Sequence, residues 1–491
     1  MIYHCEDHTC NYWDEGEKLP ERCPQCGRKL LRANEADMTG DDWTALGNTL
    51  SDAEASDKKR MVDCFRKAAY LGSAWGVCNL GICMEQGNGV EADPVQAFWL
   101  YQQAVEMGSL NAVCCLGVCY EYGIGTAPDA KQAAELYCKA AEYGSPRGQM
   151  LLARAFHDGI GVEADAAEAV YWVRAAAYQR YGEGMHRLGV CYEYGDGVEQ
   201  NWERAVHWFR EAAESGVSVA MADLGYCYEK GCGVEQSWEQ AFSWYRRGAE
   251  CGYPVSMSNL GLCYKRGYGV EQNWQEAIKW YEQGAQCGDL QSMHNLARCY
   301  ERGEGVEQDM KKAICWYERA AEQNHPAAMN SLGECYAMGL GVPRDLETAM
   351  EWYRRAAELG EAMADYNMGW HLEQAGKLSE AYAHYRKAAD GNDDSAWWAL
   401  GRFYENGVVV AQDGKEARRC YETGEKLGSV KCKMRLARCK LLGIGGRRAK
   451  KAGLDLCRQA LELAKESSEK EDYGYEAEMN LLRRTIAENE S

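Results

Sequence analysis

The chain has 491 residues, of which 46% are hydrophobic and 26% charged, so we expect it to fold rather than remain disordered. Its formal net charge of -20 disfavours non-specific binding to nucleic acid or to anionic membranes. The N-terminal residues lack the basic and apolar regions of a secretory signal, and no apolar run has the length of a transmembrane helix. These features predict a cytoplasmic protein that is not inserted in a membrane.

Two pairs of cysteines lie near the N-terminus. Cys5 and Cys10 are separated by four residues, and Cys23 and Cys26 by two. Two such thiolate pairs can close a tetrahedral site around zinc. So short a segment has no core of its own, and metal binding would supply most of its stability. Residues 1–33 therefore resemble a zinc ribbon, and the sequence predicts that they hold one structural zinc ion.

Alternatives stay open for this segment. His4 or His8 could replace one of the first two cysteines as a ligand, and iron could occupy the site instead of zinc. The segment also carries basic residues that could give the ribbon a nucleic-acid role. These are Lys18, Arg22, Arg28, Lys29 and Arg32.

The rest of the chain repeats a Leu-Gly dipeptide, or a close variant, mostly at steps of 36 residues. A fixed period of this size is typical of a solenoid. The dipeptide or its variant begins at Leu46, Leu80, Leu116, Leu152, Leu188, Leu224, Leu260, Leu296, Leu332, Met368, Leu400 and Leu436.

Each period predicts two helices joined by a Gly-x-Gly loop. An aromatic residue follows the repeat leucine by four positions, as Tyr228 follows Leu224, so both lie on one buried face. The first glycine of each loop suits a left-handed helix C-cap. A polar N-cap then begins a second helix that carries a Trp-Tyr pair, as in Trp244-Tyr245. Predicted N-caps are Asp93, Asp129, Asp165, Asn201, Ser237, Asn273, Asp309 and Asp345.

These units resemble Sel-one-like repeats, which are relatives of the tetratricopeptide repeats. The resemblance rests on Leu-Gly-x-x-Tyr, Gly-x-Gly-Val and Ala-x-x-Trp-Tyr-x-x-Ala-Ala-x-x-Gly, from about residue 41 to about residue 428. The unit around Met368 lacks the Gly-x-Gly-Val loop and is closer to a tetratricopeptide hairpin. The predicted fold is all-α, a right-handed superhelical solenoid of about eleven stacked helical hairpins over residues 41–450, with capping helices over residues 451–491.

Eight of the 24 cysteines stand three residues after the repeat leucine. We interpret them as small buried thiols at one core position, the alternative being a metal or redox ladder. They are Cys83, Cys119, Cys191, Cys227, Cys263, Cys299, Cys335 and Cys439.

A secreted, cysteine-rich branch of the resembling family, which includes β-lactamase-like hydrolases, bridges its two helices with disulfides. The corresponding positions here carry alanine and methionine, as in Ala213 and Met221, so the bridging pattern is absent. No P-loop and no His-Glu-x-x-His motif is present either. We therefore expect a protein that is not an enzyme, with a hydrolase of this branch as the alternative.

The resemblance implies a scaffold or adaptor that binds a protein or peptide in the concave groove formed by the first helices. Groove positions would be −5, −2, +2, +5 and +6 relative to the repeat leucine. Position +6 holds Lys230, Arg266 and Arg302 in three successive units, and we name these residues the basic rail. Stacking would align the rail to hold acidic groups of a partner.

Neighbouring residues could enlarge this predicted partner-binding site. Arg298 and Lys265 would widen the basic patch, and Tyr226 and Leu262 would add apolar surface beside it. The alternative is that Glu229 and Glu301 simply neutralise the rail on a solvated surface.

Overall fold

A computed structural model describes residues 2–5, 13–15, 30–33, 35–51, 55–470 and 475–490. The chain divides into two compact units, Met1–Gly252 and Tyr253–Ser491. None of the described helices combines the length and the hydropathy that a membrane span requires.

Three short strands near the N-terminus form an antiparallel sheet in the order β2-β1-β3. The strands are β1 (Ile2–Cys5), β2 (Trp13–Glu15) and β3 (Leu30–Ala33). Cys5, the last residue of β1, pairs with Leu30, the first residue of β3. The chain therefore leaves β1 and enters β3 at the same end of the sheet.

The predicted zinc ligands lie largely outside the described residues. Cys10, Cys23 and Cys26 are all outside them, as is His8, and only the backbone of His4 and Cys5 is described. The zinc ribbon therefore stays a prediction, as do the domain limits proposed from the sequence.

The first unit continues with six helical hairpins in its described residues, in which each odd-numbered helix packs against the next even-numbered one. A short 3₁₀ helix, Glu35–Asp37, precedes them. The helices are α1 (Gly40–Thr49), α2 (Ala55–Tyr70), α3 (Ala74–Gln86), α4 (Pro94–Glu106), α5 (Leu110–Tyr122), α6 (Ala130–Glu142), α7 (Pro146–Asp158), α8 (Ala166–Tyr178), α9 (Gly182–Tyr194), α10 (Trp202–Glu214), α11 (Ser218–Lys230) and α12 (Trp238–Glu250).

The described part of the second unit also contains six hairpins, followed by one terminal helix. Its helices are α13 (Pro254–Arg266), α14 (Trp274–Gln286), α15 (Leu290–Arg302), α16 (Met310–Ala321), α17 (Pro326–Met338), α18 (Leu346–Glu358), α19 (Ala362–Gln374), α20 (Leu378–Asp390), α21 (Asp394–Asn406), α22 (Gly414–Lys426), α23 (Val430–Leu442), α24 (Lys450–Lys470) and α25 (Glu476–Glu490). The all-α fold of stacked hairpins is confirmed. Helix α24, predicted as a cap, pairs with α23 as a further hairpin.

The helices begin and end at the capping residues predicted from the sequence. Each predicted N-cap side chain from Asp93 to Asp345 accepts a hydrogen bond from a backbone N–H in the first turn of its helix. The first glycine of each Gly-x-Gly loop is a left-handed C-cap, with φ near +73° at Gly231 and +72° at Gly267. Since L-residues rarely adopt that conformation, glycine ends these helices without strain.

The glycine of the Leu-Gly pair lies against a ring from the second helix of the same hairpin. A Cβ at Gly225 would stand 2.6 Å from Cε1 of Tyr245, and a Cβ at Gly261 would stand 2.5 Å from Cε1 of Tyr281. Both rings are almost completely buried. The glycine therefore allows the two helices of a hairpin to approach closely, with an aromatic ring packed against its backbone.

The second glycine of the loop lies against the preceding hairpin. A Cβ at Gly125 would overlap the backbone oxygen of Pro94, and a Cβ at Gly161 would overlap that of Ala130. Both glycines have positive φ, +69° in each case. The loop thus contacts the backbone at the start of the neighbouring second helix, and no side chain fits between them.

The eight periodic cysteines are all buried and free, as predicted. Burial raises the pKa of the Cys227 thiol to about 12 and that of Cys299 to about 11. These side chains are therefore protonated at neutral pH and act as small apolar groups in the core.

Candidate functional site

The first helices carry large apolar side chains that the core does not cover. They stand at the positions −5, +2 and +6 that the sequence assigned to the groove. In the first unit these are Trp75, Tyr122, Tyr194 and Tyr226, and in the second Val255, Leu262, Met338, Met363 and Trp370. We call these exposed residues, in each unit separately, the first-helix face. Exposed apolar side chains also occur on second helices, as at Trp99 and Tyr171, whereas the first-helix residues coincide with the groove positions predicted from the sequence.

In the first unit the predicted site residues Tyr226 and Lys230 lie together at the end of α11. Tyr226 is 45% exposed, and the Lys230 ammonium lies 5.7 Å from the centre of its ring. Lys230 also forms an ion pair with Glu229, with Nζ 2.7 Å from Oε1. Lys230 is thus paired locally, which agrees with the alternative interpretation for this residue, and its role in partner binding stays a prediction.

In the second unit the structure brings together the remaining basic residues of the predicted site. Arg302 lies 3.8 Å from Glu304, and Lys265 lies 2.8 Å from the same carboxylate. Burial raises the pKa of the Tyr281 hydroxyl, and nearby Arg266 and Arg298 oppose that rise. Leu262 is 37% exposed on α13. Four cations therefore share the neighbourhood of Glu304 and Tyr281 on α13–α15.

The glutamates at position +5 have a role that the sequence analysis did not predict. Glu121 accepts a hydrogen bond of 2.6 Å from the Tyr137 hydroxyl, and Glu301 accepts one of 2.6 Å from Tyr317. Each tyrosine is the buried ring of the same hairpin, so the glutamate satisfies its polar end. Their place in the groove stays a prediction, and the hydrogen bond to the buried ring adds a role in the hairpin core. A constant spacing of 16 residues between the two partners is the signal that could have revealed the pair.

The hairpin of α13 and α14 is one of those that depart from this pairing. Lys265 occupies the glutamate position on α13, and the buried Tyr281 hydroxyl has no hydrogen-bond partner among the described residues. Lys265 extends instead to Glu304. A buried hydroxyl without a partner destabilises the fold, so this hairpin gives up stability where the basic residues gather.

Two histidines stand at groove position −2, His186 and His294, and they differ in environment. His186 places Nε2 2.7 Å from Asp223 Oδ2 on the next first helix. His294 is 8% exposed, and burial lowers its pKa to about 3, with His325 and Arg298 adding to the effect. His294 is therefore neutral at physiological pH.

The described residues contain no group of His, Cys, Asp and Glu side chains suited to hold a metal ion. Their cysteines are all free, and Ala213 and Met221, at the bridging positions of the secreted branch, are buried in the core. The disulfide framework of that branch therefore has no counterpart in the part of the chain that the structure describes.

Comparisons with known proteins agree with this architecture. The Sel1 repeat model matches residues 76–109, 112–145, 146–181, 182–217, 218–253, 254–289, 290–325, 326–361, 362–393 and 396–429. The chain is 30% identical to a protective antigen, c5321, of uropathogenic Escherichia coli that displays an SLR fold, with a TM-score of 0.58. That match covers 87% of this chain and 90% of the antigen.

A second similar structure is a Sel1 repeat protein from Oxalobacter formigenes, with 31% identity and a TM-score of 0.46. This match covers 50% of the chain and 96% of that protein. The search of curated proteins gives no match. Ten matched repeats extend over most of the sequence. The chain belongs to the Sel1 repeat family.

Proposed function

We propose that the protein is a non-catalytic scaffold or adaptor that binds a partner protein or peptide on the first-helix face. Solenoids of stacked helical hairpins commonly serve as protein-interaction scaffolds. The observation that carries the proposal is the set of exposed apolar side chains at repeated positions of the first helices, such as Tyr226 and Leu262. Aromatic and apolar side chains of this kind supply most of the binding energy at protein interfaces.

The basic residues favour a partner with acidic groups. Arg266 and Arg302 end α13 and α15 beside exposed Leu262, and Arg298 lies on the same face of α15. An arginine can form two hydrogen bonds with one carboxylate, which gives orientation as well as attraction. The ion pair of Arg302 with Glu304 is long, at 3.8 Å, so a partner carboxylate could replace it at little cost.

Charge reversal tests the proposal. We expect the triple change Lys230→Glu, Arg266→Glu and Arg302→Glu to weaken capture of the partner about 30-fold, with a smaller salt dependence of what remains. Partners are first identified by mass spectrometry of proteins captured from native lysate, and affinity is then measured with the purified partner.

A matched control changes the same number of charges on second helices. Arg246→Glu, Lys279→Glu and Arg354→Glu remove cations of similar exposure, 57% to 62% of the side chain. Binding by the control should equal that of the parent protein. Equal binding by both triple variants, after circular dichroism shows that they are folded, would refute the proposed use of this face.

We also propose that Cys5, Cys10, Cys23 and Cys26 hold one structural zinc ion. Four thiolates in two closely spaced pairs are a suitable donor set for zinc. The sheet supports the assignment, because Cys5 stands at the end where residues 6–12 leave β1 and where residues 16–29 enter β3. Zinc bound there would close the segment and stabilise its fold.

Elemental analysis tests the zinc site. The purified protein should contain about one zinc per chain, and Cys23→Ser with Cys26→Ser should remove it. The control pair, Cys251→Ser with Cys287→Ser, removes two exposed thiols of the repeats and should leave the zinc content unchanged. Retention of zinc by the first variant would show that these cysteines are not ligands.

A reducing compartment, such as the cytoplasm, is part of the same proposal. It is supported by the absence of disulfide bonds among the 20 cysteines whose side chains the structure describes, 15 of which are buried.

A further inference from the structure

The hairpin of α7 and α8 differs from its neighbours at one buried contact. In adjacent hairpins a ring of the second helix packs on the glycine of the first, as Tyr137 does on Gly117 and Phe209 on Gly189. The hairpin of α7 and α8 has Val173 and Ala153 at these positions. Both are 3% exposed. A valine paired with an alanine fills less space than an aromatic ring paired with a glycine. The packing therefore leaves a void here.

A pocket of about 540 Å³ opens at this hairpin, within the size range of ligand sites. Its apolar part is formed by Ala153, Val170 and Val173, which includes both residues of the altered contact. Its charged part includes Arg147 and Arg154 from α7 and Arg187 from α9. The pocket therefore combines the space of a missing ring with three guanidinium groups.

The acidic groups of the pocket wall are mostly paired already. The His157 ring lies 2.6 Å from Asp158 and 3.1 Å from Asp196 through its two nitrogens. Glu183 accepts a hydrogen bond of 3.2 Å from the Tyr181 hydroxyl and has no cationic partner among the described residues. One carboxylate of the wall is thus left without a cation.

The arginines of the pocket retain N–H donors that no carboxylate of the described residues accepts. Arg187 forms no hydrogen bond or ion pair with a described residue, although Glu183 is four residues before it on α9. Arg147 donates to Asn111 Oδ1 at 2.7 Å and to Cys115 Sγ at 3.5 Å, and neither acceptor is a carboxylate. Arg154 bonds Glu121 and Tyr122, but its buried Nε has no partner. Arg147 and Arg187 thus have no carboxylate partner among the described residues and could each bind one from a ligand.

We propose that this pocket binds an aromatic side chain of a partner peptide, with an acidic group of the same peptide on Arg187 and Arg147. The ring would occupy the volume that a tyrosine or phenylalanine fills in the adjacent hairpins. Tyr122 is 60% exposed and accepts a hydrogen bond from Arg154. It adds surface beside the pocket that an extended peptide could contact. The inference rests on the proposed function, because it takes the occupant to be a partner peptide. The pocket lies in the first unit and is separate from the basic rail.

The experiment uses a short peptide probe and the full chain. The probe is acetyl-Asp-(4-fluoro-Phe)-Asp-amide, whose binding is followed by fluorine NMR line broadening. We expect saturable binding with a Kd on the order of 1 mM or tighter, which suits a single anchoring residue. Acetyl-Asn-(4-fluoro-Phe)-Asn-amide removes the charge and should bind about fivefold more weakly.

The decisive variant restores the contact of the adjacent hairpins. Ala153→Gly with Val173→Tyr supplies the glycine and the ring, fills the pocket and keeps every charged side chain. It should fold with an equal or higher thermal midpoint and bind the probe about tenfold more weakly or not at all. Arg187→Gln, at a partly exposed position, gives a second measurement if the double variant fails to fold, and it should weaken binding about fivefold.

Two outcomes of the probe experiment would overturn the inference. One is undiminished probe binding by the filled variant, or by Arg187→Gln if the filled variant does not fold; the other is no saturable binding by the parent protein. A partner that is lost with the triple charge reversal but retained by the filled variant would leave the scaffold proposal standing and refute the pocket. A partner retained by both variants would count against both proposals.

Discussion

Two tyrosines at the same repeat position offer a direct test of the ring-and-glutamate pairing. Tyr317 donates a hydrogen bond of 2.6 Å to Glu301, whereas the buried Tyr281 hydroxyl has no partner among the residues that the structure describes. Both rings are fully buried, so replacement by phenylalanine removes only the hydroxyl in each case. Opposite effects on stability are expected from chemically identical substitutions.

The magnitudes follow from the two environments. Tyr317→Phe loses a hydrogen bond to a charged acceptor, and we expect the free energy of unfolding to fall by about 1.5–3 kcal/mol. Tyr281→Phe removes an unsatisfied buried hydroxyl, and we expect it to rise by about 1 kcal/mol. For a unit of this size each kcal/mol corresponds to a shift of roughly 2–4 °C in the thermal midpoint.

The assay compares thermal and urea midpoints of the two variants with those of the parent chain. Repeat solenoids often unfold in more than one step, so hydrogen exchange in α14 and α16 should accompany the midpoints. A third variant, Lys265→Glu, gives Tyr281 a glutamate at the usual spacing. In that background Tyr281→Phe should become destabilising, with a coupling energy of about 0.5–3 kcal/mol. Equal losses from Tyr281→Phe and Tyr317→Phe in the parent chain would refute the reasoning.

Three further results are expected. Thiol reagents should modify the native protein rapidly at the exposed Cys251, Cys287 and Cys315, and slowly at the buried Cys227, Cys263 and Cys299; fast labelling of the buried set would contradict the packing. Asn273 caps α14 through its side chain, so Asn273→Ala should lower the free energy of unfolding by about 1 kcal/mol and Asn273→Gly by only a few tenths. Thermal midpoints of the two variants measure this difference, and equal losses would argue against the cap. The pKa of His294 is lowered to about 3, so its contribution to stability is complete above pH 6.5 and lost as the pH falls toward 3. Below pH 6.5 the parent should therefore lose up to about 1.4 kcal/mol per pH unit more than His294→Gln, and parallel acid-unfolding curves would rule this out.

The sequence predicted the repeated parts of the fold because each depends on local chemistry. An N-cap such as Asn273 and a C-cap such as Gly267 act within one turn of their own helix. The burial of Cys227 follows from its periodic spacing to Leu224. Features of this kind recur in many units, and recurrence makes them readable without a structure.

The rest depended on contacts between distant residues. Glu301 is exposed in a simple groove model, yet its partner is Tyr317 on the second helix. The pocket at Ala153 and Val173 arises from what these residues lack, and small apolar residues at core positions carry no signal of a binding site. The placement of the basic rail as one row also remains a prediction, since Lys230 belongs to the first unit and Arg266 and Arg302 to the second.

In several loops the contact made by the second glycine has a consequence for how such a protein can change. Gly125 and Gly161 meet backbone atoms of the preceding hairpin, so neighbouring layers recognise each other there through groups that every amino acid possesses. A hairpin can then acquire new residues on the outside of its first helix without disturbing the contact that holds its neighbour. We expect gain or loss of whole hairpins to be tolerated for the same reason. Substitutions can therefore accumulate on the surface that contacts partners. The same stack of hairpins can in this way acquire new binding preferences one hairpin at a time.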